Sequence, residues 1–275
     1  MTRRSLSSLL TLAWKNLTIE PVVFLYLTSV GLTYVIRPNL LIDKACRIKL
    51  NLSEEICDNL SQNSTDPNLI QVQKVVADYE RSLNLAATLP RVVFTLLAGP
   101  WSDRHGRKLL LIIPILGQAL TCLTFILNVI FFQKLPFEAL YMEFVNELSG
   151  NFVVYYLGEY SYMADITSPD ERTARLGVLD GTDYISTMLG TYASGPIFSR
   201  FGYLAIFSSS LGFAIVGVLY MSCFVKESKT FVSRRPIEES STTYGTEEVQ
   251  VTVFKRQTVP PYYGFCISLY MLDKC

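Results

Sequence analysis

Histidine is nearly absent from this sequence, because His105 is its only copy in 275 residues. The chain also has no H-E-x-x-H, G-x-S-x-G or C-x-x-C motif. These patterns position a zinc ion, a serine nucleophile or a redox-active thiol pair, so their absence argues against an intramembrane enzyme. We therefore expect a protein that is not an enzyme, with no cofactor and no metal site.

Charged side chains are also scarce. They make up 17% of the residues, and the 24 basic and 24 acidic side chains cancel, which removes any bias toward a nucleic acid or an acidic partner. Hydrophobic residues make up 50% of the chain, and the mean hydropathy is +0.30. Because this composition is too apolar for a soluble domain, we expect an all-α polytopic membrane protein in contact with the lipid bilayer.

Six segments contain enough apolar residues to cross a bilayer, for which a helix needs about 20. The predicted spans are 19–35, 83–101, 109–132, 139–164, 175–195 and 204–225. An N-terminal tail, 1–18, precedes them, and a polar stretch, 226–260, follows them with the composition of a cytoplasmic linker. The apolar run within 261–275 meets Asp273 and Lys274 too early to complete a seventh span.

Basic residues predict the orientation of these spans. Loops rich in Lys and Arg alternate with less basic ones, and the positive-inside rule then predicts a cytoplasmic N-terminus. The loop at 37–81 faces outward in this arrangement, and it carries glycosylation sequons at Asn51, Asn59 and Asn63. Cys46 and Cys57 share that loop, where a disulfide is permitted; the alternative is a bond to a loop that this chain lacks.

The loop between the second and third spans reads GPWSDRHGRK at 99–108. It resembles the cytoplasmic signature of the major facilitator superfamily, G-x-x-x-D-[RK]-x-G-R-[RK], with every specified position filled. The resemblance implies that this loop gates the cytoplasmic side. The implied gating residues are Gly99, Asp103, Arg104, Gly106, Arg107 and Lys108.

Each residue type in this loop has a physical reason for its place. A glycine at 99 lets a neighbouring helix approach closely, and Gly106 permits a tight turn. Asp103 can accept hydrogen bonds from Arg107 while it faces the positive end of a helix dipole. The alternative is that the basic residues of the loop serve only as topology signals.

Ionisable side chains inside the predicted spans are the candidates for function, because each costs about 2.5 to 3.5 kcal/mol to insert. Arg91 lies in the second span, while Glu147 and Asn151 share one face of the fourth. We expect these three to bind an anionic substrate. Asp180 and Asp183 stand three residues apart in the fifth span, so both can face one cavity, and we expect them to couple proton movement.

A structural role is the alternative for the same charges. In that interpretation Arg91 pairs with Glu143 or Glu147, and Asp183 bonds a neighbouring helix, so the charges hold the helices together without contacting substrate. Glu159 lies further along the fourth span, and the sequence assigns it no specific task.

Several segments together resemble the proton-coupled folate transporter family, solute carrier family 46, and its arthropod members in particular. The matching features lie at 20–22, 57, 66–67, 99–108, 148–151, 164–165 and 178–180. The resemblance implies the six-helix N-terminal bundle of a major facilitator superfamily transporter, which carries folates or other organic anions with protons by alternating access. It also implies that Asp180 occupies the position of an acidic residue tied to proton coupling.

Three interpretations stay open for a chain that holds one half of such a carrier. The favoured one is a truncated or partial product of a transporter whose partners are a small-molecule solute and a proton. The second is a half-size carrier that forms a self-dimer, and the third is a regulatory, non-transporting half-protein that pairs with a full-length carrier. The expected location is the plasma membrane or the lysosomal membrane.

Overall fold

The computed structural model describes residues 18–60 and 67–228 of the chain. Within these ranges the secondary structure is helical and contains no strand, which confirms the all-α prediction. The helices are α1 Glu20–Tyr34, α2 Ile36–Lys44, α3 Glu54–Asn59, α4 Pro67–His105, α5 Lys108–Ile130, α6 Phe144–Leu148, α7 Asn151–Ile166 and α8 Pro169–Cys223. A π-helical turn, Ala45–Lys49, follows α2, and a 3₁₀-helix, Phe137–Glu143, precedes α6.

Some sequence predictions fall outside the described residues. They concern the N-terminal tail up to residue 17, the sequon at Asn63, the linker beyond residue 228 and the incomplete segment at 261–275. They remain predictions.

Four helical segments are long and apolar enough to cross a membrane. They are Glu20–Lys49, Pro67–His105, Lys108–Ile130 and Pro169–Cys223. The first three correspond to the predicted spans 19–35, 83–101 and 109–132, and the polytopic membrane fold is confirmed. The second segment begins well before its predicted start, because the helix continues into the outer region.

The fourth membrane-length segment, α8, covers both the fifth and the sixth predicted spans. Its 55 residues would measure about 80 Å as one straight helix, far more than a hydrocarbon core of about 30 Å. Gly202 interrupts it with φ 70° and ψ −168°, a backbone conformation that is essentially reserved for glycine.

Contacts with α1 show that the chain reverses direction at this glycine. Successive residues of α1 contact residues of increasing number within 169–201 and of decreasing number within 203–223. Helix α1 is therefore parallel to the first segment and antiparallel to the second. The contacting pairs are Thr28 with Ser186 and Gly31 with Thr191 on the first segment, and Leu25 with Gly217 and Ser29 with Ser210 on the second. The two segments are therefore antiparallel to each other, and both lie against α1.

The prediction of one continuous helix over 139–164 is wrong. The 3₁₀-helix and the short α6 lead to a break, after which α7 begins at Asn151. Gly150 and Asn151 have φ values of 79° and 48°, and this left-handed backbone ends a helix. Asn151 tolerates it because its Oδ1 accepts the N–H of Phe152 at 2.7 Å.

The predicted outer loop at 37–81 is also more helical than a loop, because α2, the π-helical turn, α3 and the start of α4 lie within it. A disulfide joins Cys46 and Cys57, whose Cα atoms are 6.0 Å apart. Asn51 and Asn59 are exposed, as an acceptor of a glycan must be. Helices and a disulfide therefore order the region that the sequence predicts as an outer loop.

The core of the described residues lies where α1 packs along α8. Gly31 and Gly190 allow the close approach, since a Cβ on Gly31 would lie 2.6 Å from the backbone oxygen of Thr187. Ser29 Oγ crosses the same interface and donates to the backbone oxygen of Ser210 at 3.0 Å. Small residues and hydroxyl bonds of this kind are how membrane helices pack without a hydrophobic driving force.

Candidate transport site and gating loop

The loop between α4 and α5 is held by Arg107. This residue forms ion pairs with Asp103, one turn earlier, and with Asp165 at the end of α7, where Nε lies 3.2 Å from Oδ2. Its Nη1 also donates to Ser102 Oγ at 2.6 Å. Gly106 closes the turn with φ 109°, and its N–H donates to the backbone oxygen of Ser102 at 2.7 Å. Arg107 thus ties the loop to a separate helix.

Glu227, which the sequence analysis did not single out, lies against the same loop. Its Oε1 accepts the N–H of Lys108, the first residue of α5, at 3.2 Å, and a carboxylate is favourable at a helix N-terminus. Lys108 Nζ donates in turn to the backbone oxygens of Ser222 and Val225 at 3.0 and 2.9 Å. No local motif marks Glu227, because its place depends on the return of α8.

Two expectations about this loop have no counterpart among the described residues. A Cβ on Gly99 would have no heavy atom within 4 Å in the described part of the chain, so the close approach of a neighbouring helix at this glycine stays a prediction. Glu227, not Asp103, bonds the N-terminus of α5, and the side chain of Asp103 is 60% exposed. Arg104 is exposed as well, which fits a topology signal.

The three predicted substrate-binding residues lie together. Arg91 on α4 forms an ion pair with Glu147 on α6, and Asn151 Nδ2 donates to Glu147 Oε1 at 2.9 Å. The side chains of Arg91 and Glu147 are 20% and 14% exposed, and Arg91 Nε has no acceptor among the described residues. The cluster is balanced in charge, and the buried Nε of Arg91 is left without an acceptor among the described residues.

Glu143, the other predicted partner of Arg91, pairs with Arg37 instead. The Arg37 Nε and Nη2 atoms donate to the two Glu143 oxygens at 2.8 and 2.5 Å, and Nη1 donates to Glu80 Oε1 at 2.6 Å. Tyr79 OH donates to Glu143 Oε1 at 2.7 Å. Of the two pairs in the structural interpretation, the structure contains the one between Arg91 and Glu147.

Asp180 and Asp183 have different partners on α7. Tyr160 OH donates to Asp180 Oδ1 at 2.8 Å. Asp183 is buried and its carboxyl lies within hydrogen-bonding reach of the carboxyl of Glu159, which is fully buried. Sequence reasoning assigned Glu159 no role, because only the packing of α7 on α8 reveals that two acids meet.

Residues 79–272 match the family model of the Major Facilitator Superfamily. The chain belongs to the major facilitator superfamily. The superfamily signature at 99–108 lies inside the matched range, and the geometry of that loop around Arg107 and Gly106 gives the signature a physical basis.

Within the superfamily the chain is similar to members of solute carrier family 46. It is 22% identical over 222 residues to the chicken (Gallus gallus) lysosomal proton-coupled steroid conjugate and bile acid symporter SLC46A3, covering 78% of this chain and 47% of the relative. It is 29% identical over 177 residues to the rat (Rattus norvegicus) proton-coupled folate transporter, covering 63% and 38%.

A probable peptidoglycan muropeptide transporter SLC46 of Drosophila melanogaster is 23% identical over 219 residues, covering 76% of this chain and 42% of the relative. The chain therefore spans less than half the length of these three relatives.

Proposed function

We propose that this chain forms one half of a carrier that takes up organic anions together with protons by alternating access. The N-terminal half supplies the Arg91 cluster for the anion and the acidic residues of α8 for the proton. Arg107, Asp103 and Asp165 close the cytoplasmic side, because their ion pairs join the α4–α5 loop to α7. These residues support the binding of an anion and a proton, and membership of the superfamily supports transport.

The proposal rests on the hydrogen bonding of Arg91, which is paired with Glu147 but does not use all of its donors. An arginine within the apolar helices is costly, and Glu147 balances its charge while Nε stays without an acceptor among the described residues. A guanidinium carries five N–H donors, and the hydrogen bond from Arg91 to Glu147 uses one of them, so donors remain for an anionic group. Folates, bile acids and muropeptides, which appear in the names of the relatives, all carry carboxylates.

Protons have a matching place on α8. Asp180 lies in the half-buried region beside α7, and Tyr160 donates to its carboxylate at 2.8 Å. A carboxylate near the interior of a carrier can bind a proton from one side of the membrane and release it to the other. We assign proton coupling to Asp180, with Asp183 as a second acidic residue of the same helix.

Uptake by proteoliposomes tests this function. The carrier of which this chain forms one half is purified and reconstituted, and uptake of labelled folate, a bile acid and a muropeptide is measured with and without an inward proton gradient, against protein-free liposomes. We expect gradient-dependent uptake of at least one anion, which a protonophore abolishes. Arg91→Lys keeps a positive charge opposite Glu147 but removes the planar guanidinium and its paired N–H donors. Uptake should therefore fall about tenfold or more. Arg81→Lys, on the same helix but exposed, serves as the matched control.

Asp180→Asn isolates the coupling step. We expect this variant to lose the effect of the proton gradient while it still binds the anion. Unchanged gradient dependence would remove Asp180 from the proton path and leave the anion site as a separate claim.

A second function, a half-protein that pairs with a full-length carrier or with itself, rests on the exposed apolar side chains of α4 and α8. Leu85, Leu89 and Leu96 on α4 and Tyr184 and Met188 on α8 are each more than half exposed. Crosslinking in membranes separates the two functions. A discrete homodimer, or a complex with a larger relative, supports pairing, whereas transport by an uncrosslinked chain supports the carrier.

A further inference from the structure

A pair of acids between α7 and α8 stands apart from the sites described above. Glu159 is 0% exposed, and neither of its carboxylate oxygens has a hydrogen-bond donor among the described residues. Asp183 is 8% exposed, and its Oδ1 also has no donor there. The two carboxyls face each other within hydrogen-bonding reach. A buried acid that is left without a donor needs an explanation, because such a group loses its hydration without compensation.

The surroundings contain acids and phenols. On α1, Tyr26 and Glu20 interact electrostatically with Glu159, and Arg175 on α8 forms an ion pair with Glu20 at 3.0 Å. On α7, Tyr155 and Tyr156 lie beside the pair, and the hydroxyl of Tyr155 has no partner among the described residues.

The other two elements contribute no neutralising charge. On α8, Asp180 adds a further acid, which Tyr160 holds at 2.8 Å. On the opposite side of α7, helix α5 presents Leu110 and Leu111 against Gly158. Within the described ranges, no Lys or Arg forms an ion pair with Glu159 or Asp183.

Two adjacent carboxylates in such a place are strongly destabilised when both are ionised, since like charges at short range repel strongly in a medium of low dielectric. One proton resolves the conflict, because the protonated carboxyl then donates its O–H to the other carboxylate, and charge-assisted bonds of this type are strong. We infer that Glu159 and Asp183 together bind one proton and form a proton site between α7 and α8 that is separate from Asp180.

This site has a mechanical consequence for the carrier proposed above, on which its role in transport rests. The bound proton comes from water on one side of the membrane and joins α7 to α8 through one O–H···O bond. When the proton returns to water on the other side, two carboxylates remain and repel each other. Loading and release therefore change the force between α7, which carries Asp165, the partner of Arg107, and α8, which carries Asp180.

Infrared difference spectroscopy on the whole chain in lipid tests the site without any transport. A protonated carboxylic acid has a C=O band that a carboxylate lacks, and the band moves on exchange into D₂O. We expect such a band at neutral pH, and we expect Glu159→Gln to remove it, because the amide N–H replaces the acid O–H toward Asp183. Glu171→Gln, the same change at an exposed position of α8, should leave it intact. A wild-type chain without the band, or a band that survives Glu159→Gln, overturns the proposal.

Asp183→Asn distinguishes a shared proton from one held by Glu159 alone, and it also serves if Glu159→Gln does not fold. In this variant an amide replaces the carboxylate that accepts the O–H of Glu159. If the two acids share the proton, the C=O band should therefore shift or disappear. An unchanged band would show that the proton is not shared. Asp180→Asn should retain the component that depends on Glu159. The uptake assay is independent of this readout. A chain with the band but without uptake contradicts only the transport function, and gradient-driven uptake without the band contradicts only the proton site.

Discussion

Two polar clusters lie among the apolar helices, and they differ in how their charge is balanced. The cluster around Arg91 places a guanidinium against Glu147, with Asn151 as a further donor. The cluster of Glu159 and Asp183 has two acids and no cation in the described part of the chain. The first can stay fixed while it binds a ligand of net negative charge. The second has no counter-charge, and in our proposal it relieves the repulsion between its two acids by binding one proton.

Loss of Arg37 is expected to have the largest effect, because this arginine serves two acids, Glu143 and Glu80. In Arg37→Met the side chain of Glu143, 6% exposed, would stay buried without a cation, which costs about 3–5 kcal/mol. The free energy of unfolding, measured by SDS titration in mixed micelles, should fall by that amount. Arg81→Met is the matched control, since its pair with Asp78 is exposed and contributes less than about 1 kcal/mol. Equal losses in the two variants would contradict the importance of burial.

Arg91→Met should cost about 3 kcal/mol in the same titration, because Glu147 loses its cation while Asn151 still donates to it. Adding Glu147→Gln should recover most of this loss, since an amide needs no counter-charge. A double variant as unstable as the single one would show that Arg91 acts through packing and not through charge balance.

Tyr160→Phe tests the hydrogen bond to Asp180, the acid that lies beside the cluster of Glu159 and Asp183. The change removes the hydroxyl that donates to Asp180 at 2.8 Å and should lower the free energy of unfolding by about 1–2 kcal/mol. The loss should shrink in Tyr160→Phe combined with Asp180→Asn, because no carboxylate is then left without its donor. Tyr192→Phe, at an exposed tyrosine of α8, is the control and should change little.

The smallest expected change in the free energy of unfolding comes from Glu138, which forms an ion pair with Lys49 outside the membrane helices. The hydrogen bond from Lys49 is the main cause that lowers the pKa of the Glu138 carboxyl from its ordinary value of 4.5. Because the folded pKa is lowered, the pair stabilises the chain above the ordinary value and loses this effect as pH falls through the lowered pKa. Glu138→Gln should cost less than about 1 kcal/mol near neutral pH and nothing in strong acid. A larger cost, or one that grows in acid, contradicts this assignment.

The sequence predicts the helical class and the polytopic membrane fold, because long apolar runs are a local signal. The turn at Gly106 and the pairing of Asp103 with Arg107 also follow from local spacing. Arg91, Glu147 and Asn151 could be grouped because a buried charge is costly and the last two share a helical face. In each of these cases the physics acts over a few residues or over one helix.

The remaining features depend on contacts between distant segments. Glu227 reaches Lys108 from 119 positions along the chain, and no pattern near either residue indicates this contact. Glu159 and Asp183 look like two unrelated intramembrane acids until α7 packs on α8. The break at Gly150 was missed because the apolar composition continues across it, while the backbone of Gly150 and Asn151 does not stay helical.

The reversal at Gly202 has a consequence for the biogenesis of the protein. One residue interrupts the helix at the point where the chain reverses direction, so that 203–223 lies antiparallel to the segment before it. A side chain at this position would oppose the backbone conformation that makes the return possible. During insertion, the return of 203–223 thus depends on the one amino acid that has no side chain.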